Sequence, residues 1–357
     1  MEPCQPARPG RFITVGEVLL RLTPPNYDAI QTANCFNAFY GGSEANIAVG
    51  LANLGVDSTV FTVVPDNSLG KGALRMLRSN NVNCTPAILS GPAETPTHRL
   101  GTYYLETGFG ARASRVIYDR KHSAFAEYDY RRLDVERLLD SYDWLHLSGI
   151  TPALGENCAD LVMTCLRVAR EKGMTISFDG NFRSALWSWN EARDFCTRCL
   201  PYVDVLLGVE PYHLWRDEAD HTKGDLKDGI SLQPSPEQQA QIFDAFAARY
   251  PNLKYMARHV RYAESGSENS LKAYLWHQGT TWESRSFTFA ILDRVGGGDA
   301  FASGLIYAIM HGYKPREIVD FAVSSSVLKH TIRGDCSIID DVQAIDDVMN
   351  QSHDIKR

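Results

Sequence analysis

Apolar and polar positions recur in two different periods along this chain. From residue 142 onwards, short apolar runs stand at 144–150 (WLHLSGI), 174–179 (MTISFD), 203–208 (VDVLLG) and 253–258 (LKYMAR), and stretches of helical spacing at 155–172, 191–200 and 236–249 separate them. Strands alternating with helices predict right-handed crossovers and a mostly parallel sheet covered on both faces. Residues 11–22, RFITVGEVLLRL, are β-rich and broken at Gly16-Glu17, so a first strand should turn or cross into another layer there. Residues 43–55 suit a helix with Ser43 as cap, an apolar face of Ile47, Ala48, Leu51 and Leu54, and Gly55 as its end. Another helix is expected over 68–80, and a turn with an edge strand over 84–96. Aromatic and β-branched residues thicken over 97–120, in HRLGTYYLETG and ASRVIYDRKHSA, outside the strand-helix rhythm. These predict two strands of a small lid. The fold expected is α/β, a three-layer α/β/α sandwich with a mostly parallel central sheet. It forms a single domain over 11–350, with lid strands inserted within about 17–40 and 97–125.

The most informative stretch is 287–312, FTFAILDRVGGGDAFASGLIYAIMHG, which reads as strand, glycine loop, helix. Gly296, Gly297 and Gly298 let the backbone approach a ligand, and their N–H groups can face negative charge beside the positive end of a helix dipole. Asp299, in the first turn, can take a proton from a hydroxyl while the loop takes the charge of a transferring phosphoryl group. No Lys-Ser or Lys-Thr follows for a Walker A loop, and Phe301 stands where a dinucleotide fingerprint needs a small residue. On these residues alone, a tight turn with an acidic first helical turn fits equally well.

Composition changes the picture little. With 44% hydrophobic and 22% charged residues the chain can bury a large core, and a net charge of -7 gives no reason to expect nucleic acid or an anionic membrane as partner. No apolar run reaches a membrane span and MEPCQPARPG lacks a secretion core, so a cytoplasmic protein with reduced thiols is expected. Cys196 and Cys199 form one C-x-x-C without a second pair, which suits packed thiols better than zinc. Tyr103 and Tyr118 can pack on a sugar face, and Arg120 can pair with a carboxylate, although lid strands need aromatics in any case. The segment 216–236 reads as a long surface loop, and the last eight residues should fray.

DRVGGGDAFASG resembles the D-x-x-G-x-G-D-x-F signature of the ribokinase-like, or phosphofructokinase-B-type, sugar kinases. The resemblance implies a ribokinase-like fold, Asp299 as catalytic base, and Gly296, Gly297 and Gly298 around the phosphoryl group. GGSEAN at 41–46 is similar to a segment of one branch, the 2-keto-3-deoxygluconate kinases, where it contacts the sugar acid; this points to Gly41, Gly42 and Asn46. By the same resemblance Tyr103, Tyr118 and Arg120 hold the substrate. FDGNFRSALW at 178–187 resembles D-x-N-x-R-x-x-L-W, which assigns Arg183 to phosphate or sugar-acid charge and Asn181 a place near the nucleotide. Arg333-Gly334-Asp335 resembles a turn whose Asp contacts a sugar hydroxyl.

Two departures stand out. The family's N-x-x-E, which organises magnesium, is replaced by V-E-P-Y at 209–212, so the metal ligands stay unassigned, with Glu210 acting at most from a shifted position. The Gly-rich nucleotide turn is replaced by 257–270, where Arg258 and Ser265 to Asn269 become candidates for nucleotide contact. The resemblance thus implies an ATP- and Mg²⁺-dependent kinase of the 6-hydroxyl of 2-keto-3-deoxygluconate. A kinase of the same fold for another sugar, and a sugar-binding regulator without catalysis, remain open alternatives. A nicotinamide dehydrogenase lacks its fingerprint. Exposed lid strands would offer edges for pairing with a second copy.

Overall fold

The computed structural model describes residues 10–209 and 234–350. Its strands are β1 (Phe12–Val15), β2 (Leu19–Thr23), β3 (Asn37–Gly41), β4 (Ser58–Phe61), β5 (Val63–Pro65), β6 (Ile88–Ser90), β7 (Thr102–Glu106), β8 (Arg115–Asp119), β9 (Trp144–Ser148), β10 (Thr175–Asp179), β11 (Val205–Leu207), β12 (Tyr255–Ala263), β13 (Glu268–His277), β14 (Thr280–Glu283) and β15 (Phe287–Ala290). The central sheet has the order β14-β13-β12-β11-β10-β9-β1-β4, with β15 joined to β13. Neighbours from β12 to β4 run parallel, while β13, β14 and β15 form an antiparallel margin. Every residue of β1 and β9 is buried, because helices cover both faces. On one face the helices Ser43–Asn53, Gly297–Met310 and Pro315–Lys329 pack around Ile47, Leu51, Leu305 and Phe321. On the other, Glu156–Glu171, Trp189–Cys199 and Pro236–Arg249 pack around Leu161, Val162, Phe195 and Phe243. The result is the expected α/β/α sandwich.

A second sheet, β3-β2-β7-β8, stands apart from the first. β2 is antiparallel to β3 and parallel to β7, and β8 runs antiparallel to β7 at the edge with all five residues exposed. The chain crosses into this sheet at Gly16-Glu17, between β1 and β2.

Several elements differ from expectation. LKYMAR opens a nine-residue strand, β12, that turns back into the ten-residue β13. Polar residues interleaved through 257–270 hide this hairpin from a reading by apolar runs. Ser265 to Asn269 sit at its far end, where Gly266 N–H donates to Gly110 O at 2.6 Å, and they do not line the main pocket. The glycine-loop helix starts at Gly297, ahead of Asp299. The helix expected to be capped by Ser43 has Gly42 at its cap position, and Ser43 is its first residue. Glu210 and 216–233 lie outside the described residues. Cys196 and Cys199 are buried, and burial pushes both thiols up, as packed thiols require. Among the described residues no helix is long and apolar enough to cross a membrane.

Candidate active site

A cavity of about 770 Å³ opens at the carboxyl ends of β10, β11 and β1, where open α/β sheets bind ligands. Asp299 lies half-buried in it and is held from two sides. Ser43 Oγ donates to Asp299 Oδ1 at 2.9 Å and Asn46 Nδ2 donates to Oδ2 at 2.7 Å. Ser43 Oγ in turn accepts from Asn181 Nδ2 at 2.8 Å, which leaves its own proton for Asp299. Burial raises the Asp299 carboxyl, against these hydrogen bonds and the charges of Arg183 and Lys329. A carboxylate raised in this way is a better proton acceptor. Ser43→Ala removes one donor to the charged form, so the acid limb of the pH–rate profile should move to higher pH and kcat should fall about tenfold. A pH titration of initial rates checks both.

The three glycines differ in what surrounds them. Gly296 caps the helix in a left-handed conformation, φ 78°, and a Cβ there would collide with Asp335 O. On Gly297 a Cβ would collide with the His330 ring. At Gly298 the nearest atom would be His259 Cε1, 3.7 Å away, an ordinary contact. Only the first two are glycine for the sake of the fold; Gly298 is bare towards the cavity. In the first turn the N–H groups of Gly297 and Gly298 have no intrahelical acceptor, and they stand at the positive end of the helix dipole. Gly298→Ala should therefore fold with unchanged thermal stability yet lose about 10²-fold in kcat, as a methyl group enters the space of the transferring group. Thermal melting beside a turnover assay separates the two effects.

At Gly41 and Gly42 the space a side chain would take is filled by protein: a Cβ on Gly41 would strike the Asp335 side chain, and one on Gly42 the Glu17 carbonyl. Gly42 still lines the cavity, and its N–H donates to Asn46 Oδ1 at 3.2 Å. Arg120 differs from expectation. Its Nε donates to Glu17 Oε2 at 2.9 Å and its Nη2 pairs with the same oxygen, so it is one half of a buried ion pair and not a free cation. Asp335 is no exposed turn residue: it is buried, accepts from the Tyr103 hydroxyl, and lies 3.0 Å from Arg21 Nη1. Burial, with the Asp335 charge adding, holds the Tyr103 phenol well above its usual range and so protonated. Tyr118 is exposed on β8, with its ring 5.8 Å from that of Tyr103, and both line the cavity.

At the end of β10, Asp179, Asn181 and Arg183 meet the cavity together. Asn181 takes φ 40°, fixed by its N–H donating to Asp179 Oδ1 at 2.9 Å, and its side chain faces Ser43. Arg183 is exposed and donates to the carbonyls of Asn181 and Phe182. Burial pushes Asp179 up to about 7, against the pull of Arg183 and with the charge of Asp299 adding to the rise. Arg258 is buried with Nη1 donating to Gln239 Oε1 at 3.0 Å, so protein already engages its guanidinium where nucleotide contact was expected.

Reading the sequence placed Asp179 at a strand end beside Asn181 and Arg183 but gave no site role to it, to Arg21, to Asp293 or to Glu17, and it cast Ser43 as a helix cap when its hydroxyl serves the acid. Asp293 is buried and accepts from Val295 N–H at 3.1 Å and Gly334 N–H at 3.0 Å, joining the glycine loop to the Arg333-Gly334-Asp335 turn, while Arg21 on β2 binds it from the second sheet. A charged residue inside an apolar run, as Arg21 is in VLLRLT, was the available signal for a buried pair.

The model of the pfkB family carbohydrate kinases matches residues 11–211. The 2-dehydro-3-deoxygalactonokinase of Haloferax volcanii is 30% identical over 337 residues, 94% of this chain and 96% of its own length. The 2-dehydro-3-deoxygluconokinase of Thermoproteus tenax is 25% identical over 331 residues, 91% of this chain and 89% of its own. Among solved structures, the 2-dehydro-3-deoxygluconokinase of Thermotoga maritima superposes with a TM-score of 0.86 at 34% identity, covering 95% of this chain and 99% of that one. Sequence, sheet order and an acid set beside a glycine turn agree: the chain belongs to the pfkB family of carbohydrate kinases.

Proposed function

We propose that this kinase transfers the γ-phosphoryl group of ATP to the 6-hydroxyl of 2-keto-3-deoxy-D-gluconate, giving 2-keto-3-deoxy-6-phosphogluconate. The observation that carries the chemistry is the carboxylate of Asp299, held by Ser43 and Asn46 beside the open amides of Gly297 and Gly298. Asp299 takes the hydroxyl proton as the oxygen attacks phosphorus in line, and the glycine amides and helix dipole take the charge that spreads over the phosphoryl oxygens. The names of the relatives support a sugar acid as acceptor. They divide between gluconate and galactonate, which differ at C4, so the C4 epimer is the second acceptor to test.

For the acid end of the substrate, Arg120 offers Nη1, which no described residue engages, while Glu17 cancels its net charge. Arg183 brings a guanidinium tied only to backbone carbonyls. Tyr118, and Tyr103 through its ring, give the sugar a face to lie on, while the Tyr103 hydroxyl stays with Asp335. Among the described residues no group of three or more acidic, His or Cys side chains could hold a metal ion. That fits magnesium arriving on the nucleotide phosphates and keeping most of its waters, with Asp179 the cavity carboxylate to meet it. When bound it would neutralise β- and γ-phosphate charge. The exposed Val116, Ile117 and Tyr118 on the open edge of β8 support a pairing of two copies there as part of this reading.

Coupled ADP-release assays over the sugar acid, its C4 epimer and a series of neutral sugars test the proposal. Turnover confined to neutral sugars would overturn the substrate, and ligand binding without ATP consumption would favour a regulator.

A further inference from the structure

The cavity holds two kinds of arginine. Near the second sheet Arg120 lines it with its acid, Glu17, and Arg21, outside the lining, lies against Asp293 and Asp335. Beside the glycine loop the pattern changes. Arg261 on β12 and Arg294, two residues before Gly296, both line the cavity, and neither forms an ion pair with a described residue. Arg294 Nη2 reaches Asn269 Oδ1 at 3.5 Å, an amide and not an acid, and its Nε is buried without an acceptor. Burial lowers the Arg261 guanidinium and the charge of Arg294 lowers it further, which marks the two as neighbours of like sign. His259 and His330 bring no counter-charge, since an imidazole is neutral or cationic and never an anion. A protein of net charge -7 has acids enough to neutralise this pair, yet none is placed there. Like charges held together are unfavourable until an anion joins them, the more so where Arg294 is partly buried.

We propose that Arg261 and Arg294 bind the polyphosphate of the nucleotide, holding the two phosphates that leave as the diphosphate while the glycine amides receive the group in transfer. The guanidinium fork matches phosphate oxygens in pairs, which a lysine does not. The inference rests on the reading of the donor as a nucleoside triphosphate, and it places Arg261 within the segment that replaces the family's Gly-rich turn. Arg294 sits within the same loop as the anion-binding amides, so one bound polyphosphate would order both.

Arg261→Gln and Arg294→Gln, singly and together, test this by equilibrium binding of ATP to the full chain without sugar, with inorganic tripolyphosphate as competitor. Each variant should weaken ATP about tenfold, flatten the dependence of binding on salt, and leave the KM for the sugar acid within about twofold. The variants should melt no lower than the parent, because a repulsion has been removed. Unchanged ATP affinity would overturn the proposal, as would a raised sugar-acid KM at unchanged ATP affinity, which would move the arginines to the acceptor. Because binding is read without turnover, a parent that binds ATP yet phosphorylates no sugar acid refutes the substrate reading and leaves the arginine assignment to be decided by the same titration.

Discussion

Asp299→Asn lowers kcat by about 10³-fold and leaves a fold at least as stable as the parent. The loss follows from the chemistry, since an amide cannot accept the hydroxyl proton, while the glycine amides and bound nucleotide are untouched. The stability half has its own sign. Burial raises the Asp299 carboxyl in the folded protein, so the folded state holds that proton more tightly than the unfolded chain does. Such a group detracts from stability above its folded value, and the cost fades as pH falls through it. Asn removes the cost at neutral pH. Activity runs the other way with pH, because the base works only when ionised: the parent's kcat/KM falls as pH drops through the raised value. Asp179 rises to about 7 beside it, with burial the main cause and Asp299's charge among the others, so Asp179→Asn should shift the limb to lower pH by removing a like charge. Single-turnover kinetics with thermal melting measure all of this. An Asp299→Asn variant that turns over like the parent while folded would falsify the assignment of the base.

How much of this was legible in the sequence depends on how far apart the partners lie. GGGDAF announced both a loop that can bind anions and an acid in the first turn, because those signals sit within one turn of chain. The parallel sheet was legible for a similar reason, since buried strands of the type of β1 and β9 are short uninterrupted apolar runs. Ser43 shows the limit. Its place before an apolar helix makes it a cap by every local rule, yet its hydroxyl serves Asp299, 256 residues away. Arg120 was expected to await a carboxylate and has one already, from Glu17 at a separation of 103 residues. The β12–β13 hairpin went unseen because its outer positions, His259, Arg261 and Lys272 among them, are polar and break the run. Local chemistry was readable, and the partners that long-range topology supplies were not.

Arg21→Met should cost about 3–5 kcal/mol, the penalty for stranding buried carboxylates, and that is a large part of the ~5–15 kcal/mol that holds a typical domain folded. Arg21 is 2% exposed, lies with its guanidinium 4.6 Å from the Phe39 ring, and is the cation shared by Asp293 and Asp335. Burial pulls the guanidinium down, but the two carboxylates more than compensate and hold it above its usual range. Methionine fills much of the volume and leaves Lys329 as the remaining cation whose charge acts on both acids. Asp335 is already raised by burial despite Arg21, and losing Arg21 raises it further. Protonation of Asp335 then relieves part of the penalty, so the gap between variant and parent should narrow as pH falls. Urea midpoints at neutral and at mildly acidic pH measure this, and a gap that stays constant or widens would show that the acids are not the source of the loss. The variant should also lose activity beyond its loss of folded protein, because Asp293 holds Val295 N–H and Gly334 N–H and so shapes both the glycine loop and the turn that carries Asp335. Arg21→Lys keeps the charge without the fork, and it should recover part of the stability while the two carboxylates compete for one ammonium. A second sheet tied to the anion-binding loop through one buried arginine makes the position of β2 and the shape of the loop a single mechanical unit, so substrate that moves one must move the other.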